Sequence, residues 1–175
     1  LSKNQAMEKL WEAILSAARV TEDPIAAWEE HNANLKARCD YLNSLNIVKL
    51  HYTAANGTDL TVGMISEGKW CGGGDTSLQG IYFNPNMPTE EVFTSPMKGR
   101  CEGRLVSTKA LSWAGQIINN FTVDFKDGKV ADCHAEQGED TLRQMFAMDE
   151  GASMLGEVAL VPKESPINRS GLMFY

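Results

Sequence analysis

The spacing of apolar residues changes at Asn46, and no other feature limits the fold as much. Before it, Met7, Leu10, Trp11, Ile14, Leu15 and Ala18 recur every three or four residues, the stripe of an amphipathic helix. Ser2-Lys3-Asn4-Gln5 ahead of them has the spacing of a capping box. Thr21-Glu22-Asp23-Pro24 then restarts the pattern, with Asp23 placed to cap and Pro24 at the first position of a second helix. Ile25, Trp28, Leu35, Leu42 and Leu45 mark its stripe to about residue 45. Two helices joined by a short polar turn predict a helical hairpin.

After Asn46 the period is two. Residues 47–52 and 59–65 read as strands joined at Ala55-Asn56-Gly57-Thr58, Asn-Gly being a strong hairpin signal. Short strands follow at Gly80–Pro85 and Glu102–Thr108, then a hairpin in which 121–125 and 129–133 flank Lys126-Asp127-Gly128. Gly138-Glu139-Asp140-Thr141 opens a later helix carrying Leu142, Met145 and Phe146, and Val158–Val161 is strand-like. Helices and hairpins are grouped, not alternating, which predicts an α+β fold. Its expected form is an N-terminal helical hairpin followed by a mostly antiparallel sheet with one later helix. A weak division is expected near residue 84, separating 1–84 from 85–175.

A length of 175 residues suits one well-buried core or two small ones. The net charge of −7 excludes a general nucleic-acid binder, which needs a basic face. No run of 18 apolar residues exists to span a membrane. Cysteines 39, 71, 101 and 133 lie too far apart for a Cys-x-x-Cys motif and read as reduced, buried or half-buried thiols. The glycine-rich run Trp70–Ser77 lacks the Gly-Lys-Ser/Thr ending of a phosphate loop, so it reads as a connector or a close backbone contact. Cys133 and His134 are strand neighbours facing opposite sides and cannot form a nucleophile–base pair with each other. His31, beside Glu29 and Glu30, lacks the spacing of a metal-binding helix and reads as a surface or boundary residue.

The chemistry rests on acids. In Asn86-Met87-Pro88-Thr89-Glu90-Glu91-Val92-Phe93-Thr94, two adjacent carboxylates precede a β-branched and aromatic pair. The plain reading makes Thr89 an N-cap with both acids in the first helical turn. The alternative directs one of them inward as a metal ligand, because a buried carboxylate needs a cation or donors. A second segment, Asp149 to Pro162, sets Glu157 against the strand-like Val158–Val161, with Arg100 or Arg104 as its partner if no metal is involved.

Together these segments resemble the metallo-aminopeptidases of the aminopeptidase T, aminopeptidase S and PepS type. The resemblance extends to Ala6–Ile14, Gly57–Gly63, Arg104–Lys109, Ala135–Glu139 and Ser165–Leu172, nearly the whole chain in the family's order. It implies a two-metal exopeptidase that releases N-terminal residues from peptides with a free N-terminus. Glu91 and Glu157 then stand as metal ligands, Glu157 bridging and Glu91 terminal, with no catalytic side chain assigned. Glu90 either supports the ligand from behind or faces solvent.

The cofactors implied are two divalent ions in the full-length enzyme, and zinc, cobalt, manganese and magnesium all suit carboxylates. The family's remaining ligands, two histidines and an aspartate, and a tyrosine near the metals lie beyond the Gly-Leu-x-Phe-Tyr segment. The chain therefore reads as a central fragment of a longer enzyme, inactive alone, and the apolar end Leu172–Tyr175 as an interrupted strand. The resemblance also implies a cytoplasmic homodimer with no nucleic-acid or membrane partner. The competing class is a noncatalytic binding or assembly module with Glu91 and Glu157 in structural salt bridges.

Overall fold

The computed structural model describes residues 1–171, and the strand expected at Leu172–Tyr175 lies outside the described residues. Along the chain run α1 (Lys3–Ala17), α2 (Pro24–Ser44), β1 (Lys49–Thr53), β2 (Asp59–Met64), β3 (Asp75–Thr76), β4 (Tyr82–Phe83) and β5 (Val92–Thr94). They are followed by β6 (Pro96–Val106), β7 (Leu111–Trp113), β8 (Gln116–Lys126), β9 (Lys129–Gln137), α3 (Glu139–Phe146), β10 (Val158–Leu160) and α4 (Pro166–Ser170). This is the α+β arrangement expected, helices first and antiparallel strands after them. Among the described residues no helix is long and apolar enough to cross a membrane.

Two compact units interleave along the sequence. Of the described residues, the first contains Leu1–Leu45, Lys69–Thr94 and 159–171, and the second contains Asn46–Gly68 and Ser95–Val158. Residue 84, where the sequence suggested a weak division, falls inside the first unit.

In the second unit the sheet runs β1-β2-β6-β8, with β9 on the far side of β8 and β7 pairing the start of β8. Asn56-Gly57 closes the first hairpin, Gly57 N–H donating to Ala54 O at 3.1 Å. Along β2 burial alternates, Leu60, Val62 and Met64 pointing inward, as a period of two requires. The same alternation on β9 buries Cys133 and Ala135 and exposes His134 between them. His134 Nδ1 pairs with Glu139 at 2.6 Å, and Cys133 sits on the other face, so the two do not form a catalytic pair. The helix α3 packs on β8 and β9 through the buried Leu142.

In the first unit both helix starts form as read. Ser2 and Gln5 make the reciprocal capping box of α1, and Asp23 caps α2 with Pro24 in its first turn. The buried face of α2 is Trp28, His31, Leu35 and Cys39. Ile25 and Leu45, expected on that stripe, are exposed because they flank this face at the two helix ends. The apolar stripe of α1 also stays largely exposed, Trp11 by 55%. The short link between the helices is fastened by Trp28 Nε1, which donates to Ala18 O at 2.8 Å.

Candidate metal centre

The segment carrying the two acids leads directly into β5. Residues Thr89, Glu90 and Glu91 are not helical, and β5 begins at Val92, which overturns the reading of Thr89 as a helix cap. Glu90, Val92 and Thr94 are buried while Glu91 and Phe93 are half-buried. Thr89 is buried with Glu90, so burial lessens between the two acids and their carboxylates meet different surroundings.

Two features hold this segment in place from the glycine-rich stretch. Cys71 and Phe93 exchange both backbone hydrogen bonds at 2.8 Å. A Cβ on Gly72 would lie 2.7 Å from the carbonyl oxygen of Glu91, so only glycine lets the two backbones approach this closely. The run read as a connector or close backbone contact is a close backbone contact.

The buried carboxylate of Glu90 is 5% exposed and its Oε1 lies 2.5 Å from Arg19 Nη1. Arg19 is the residue after the cap of α1, at φ 55°, and its guanidinium stands 5.8 Å from the centroid of the Trp28 ring. The His31 Nε2 is 2.7 Å from Thr89 O and 3.8 Å from Glu90 Oε1. A carbonyl only accepts, so the proton of His31 resides on Nε2. The expected surface or boundary histidine is in fact 8% exposed, packed edge-on against Trp28 with ring centroids 5.5 Å apart. The alternative in which Glu90 faces solvent is likewise overturned, since Arg19 supplies the counter-charge that lets it turn inward.

Part of this cluster was visible in the sequence. His31 lies three residues after Trp28 and four before Leu35, in phase with the buried face of α2. Its link to Glu90 was not, because nothing local connects residues 19, 31 and 90.

Burial pushes the imidazole of His31 below its ordinary value of 6.5; the Thr89 carbonyl opposes this, Arg19 adds to it, Glu90 opposes it and Arg38 adds to it. The folded protein thus disfavours the imidazolium, whereas the unfolded chain takes up the proton near 6.5. The stabilisation is complete above that value and drains as pH falls below it towards the folded-state value. His31→Gln keeps a donor for Thr89 O but cannot titrate. Urea midpoints are expected to fall more steeply for wild type than for His31→Gln below pH 6.5, and parallel profiles would refute this origin.

Glu91 is half-buried in the first unit, and Glu157 is exposed in the second, directly before β10. The exposure of Glu157 removes the argument that it needs a partner to offset burial. Arg104, one of the two arginines considered for it, is bound through Nε and Nη2 to both oxygens of Asp124 at 2.7 Å. Among the described residues no three His, Cys, Asp or Glu side chains gather to hold a metal ion. Carboxylates suit a divalent cation, but two of them are fewer than the four ligands usual for zinc.

All four cysteines are free, and Cys71 is exposed where a buried or half-buried thiol was expected. Burial pushes the Cys101 thiol up to about 11 and raises that of Cys133, the opposite of what a thiolate nucleophile requires.

Comparison with known proteins covers the entire chain. Residues 1–175 match the family described as thermophilic metalloprotease (M29). The chain is 47% identical to aminopeptidase AmpS of Bacillus subtilis (strain 168) over 99% of its own length and 42% of that protein's. It is 43% identical to aminopeptidase T of Thermus aquaticus, covering all of this chain and 43% of the relative. A solved structure, wild-type AmpT from Thermus thermophilus, superposes with a TM-score of 0.91 at 42% identity, over 99% of this chain and 42% of that one. The chain therefore spans less than half the length of the relatives it matches.

Proposed function

We propose, because the chain belongs to the thermophilic metalloprotease (M29) family, that it is the part of a metal-dependent aminopeptidase that contributes Glu91 and Glu157 to the metal centre. The observation that carries this reading is the match to named aminopeptidases across 99% or more of the chain. The substrate is a peptide with a free N-terminus, and the whole enzyme is a cytoplasmic homodimer using two divalent ions.

The two acids enter the centre differently. Glu91 is half-buried on a segment tied to Gly72 and Cys71, so its carboxylate is offered from a backbone with little freedom. Glu157 is exposed, which leaves its oxygens able to bridge cations. Glu90 supports Glu91 from behind and is not itself a ligand, its charge being met by Arg19. When bound, divalent ions polarise a scissile carbonyl and lower the pKa of water. The chain's own part is to place two negative oxygen donors and balance the charge of the ions.

The test is turnover of an aminoacyl chromogenic substrate by the full-length enzyme. Glu91→Ala and Glu157→Ala are each expected to lower kcat/KM at least about a thousandfold, since losing metal assistance removes several kcal/mol of transition-state stabilisation. The 175-residue chain alone is expected to show no turnover. Wild-type turnover in both variants would favour the noncatalytic module, with the acids in salt bridges.

A further inference from the structure

Glu90 and Glu91 are the same residue type in succession, and that poses a problem of register. Sliding the segment by one position would put Glu91 in the buried place of Glu90 and change which acid is presented at the half-buried one. Both carboxylates bind cations equally well, so sequence chemistry does not distinguish them. Something outside the segment must.

β5 itself is paired with β10 and with Cys71, and the contacts that bear on Thr89 and Glu90 come from the α1–α2 link and from α2. Arg19 Nη1 holds Glu90 Oε1 at 2.5 Å, and His31 Nε2 holds the Thr89 carbonyl at 2.7 Å. On the other side of Glu91, Phe93 is tied to Cys71 through both backbone groups. The residues flanking Glu91 are thus fastened at 89, 90 and 93.

A buried ion pair is seldom a net source of stability, because apolar residues of similar volume often do as well or better. Its use here is selective. With Arg19 engaged, Glu90 is both turned inward and neutralised, so it does not compete for a cation.

We propose that Arg19, assisted by His31, is a positioning residue that selects Glu91 over Glu90 as the metal ligand by fixing the register of the Thr89–Thr94 segment. The inference rests on the reading of Glu91 as a ligand.

The test uses the full-length enzyme loaded with cobalt, whose visible absorption reports the ligand set, and measures cobalt affinity by competition with a chelating dye. Glu91→Ala is the reference. If it keeps wild-type cobalt affinity, the ligand reading itself fails.

Given loss of affinity in Glu91→Ala, the pair variant Arg19→Met with Glu90→Met decides the inference, because it leaves no unpaired buried charge and keeps the volume. It is expected to remain folded by thermal unfolding yet to bind cobalt about ten- to a hundredfold more weakly, with a changed spectrum. Arg19→Lys retains the charge but not the planar fork and is expected to fall between that pair variant and wild type. Wild-type affinity and spectrum in the folded pair variant would overturn the positioning role while leaving Glu91 a ligand. A lysine variant no better than the pair variant would also count against it.

Discussion

Leu35→Ala is expected to lower the unfolding free energy by about 3–4 kcal/mol, in the upper part of the range for leucine truncations. Leu35 is 0% exposed on the inner face of α2. A Cβ placed on Gly73 would be 3.6 Å from both Cβ and Cδ1 of Leu35, so the glycine-rich stretch lies directly over it. The cost of such a truncation depends on how far the surroundings can close the space left behind. Here they are held. Asn43 accepts from Trp70 N–H at 2.8 Å and donates to Trp70 O at 3.1 Å, and Cys71 is bonded to Phe93 on both its backbone groups. With both ends of that approach fixed, most of the cavity should persist. Urea unfolding should show a lower midpoint with an unchanged slope, and Leu35→Met should cost less than about 1.5 kcal/mol. A loss below about 1 kcal/mol for the alanine variant would mean that the stretch over Leu35 collapses freely, contrary to its bonding.

Gly103→Ala should be of comparable size for an unrelated reason. Gly103 sits within β6, opposite Leu60 on β2 and Phe125 on β8, at φ +105°. That angle is unfavourable for any residue with a Cβ, and the added carbon would run into the carbonyl oxygen of Asp59 and come within 3.3 Å of Leu60 Cα. Both obstacles are backbone atoms of the neighbouring strand, which no side-chain rotation relieves. Strain and overpacking together imply about 3 kcal/mol or more. Gly99→Ala separates the two contributions, since Gly99 has φ +78° but a Cβ there meets nothing within 4 Å. It should cost only about 1 kcal/mol. Equal losses at the two positions in a thermal or urea series would show that the close approach between β2 and β6 contributes nothing.

The features legible in the sequence are those completed within a few residues. The capping box at Ser2, the Asp23 cap before Pro24 and the Asn56-Gly57 hairpin each satisfy backbone groups locally, and all three formed as read. The period of two read along β2 and β9 formed as strands, and it placed Cys133 and His134 on opposite faces. Similarity to the aminopeptidases lay in the order of several short segments, and it extends over the full chain.

What the sequence determined by itself, then, is the kind of local structure at each place, because caps, turns and periodic faces depend on neighbours close along the chain. Which polar groups become buried was settled only by the tertiary structure. Glu90 turns inward because a guanidinium 71 residues away meets it, and His31 is buried because its proton reaches the carbonyl of Thr89 from another element. Glu91, the identical neighbour of Glu90, is only half-buried. Burying a charge is costly until its partner arrives, and no local pattern reveals a partner brought in by the fold.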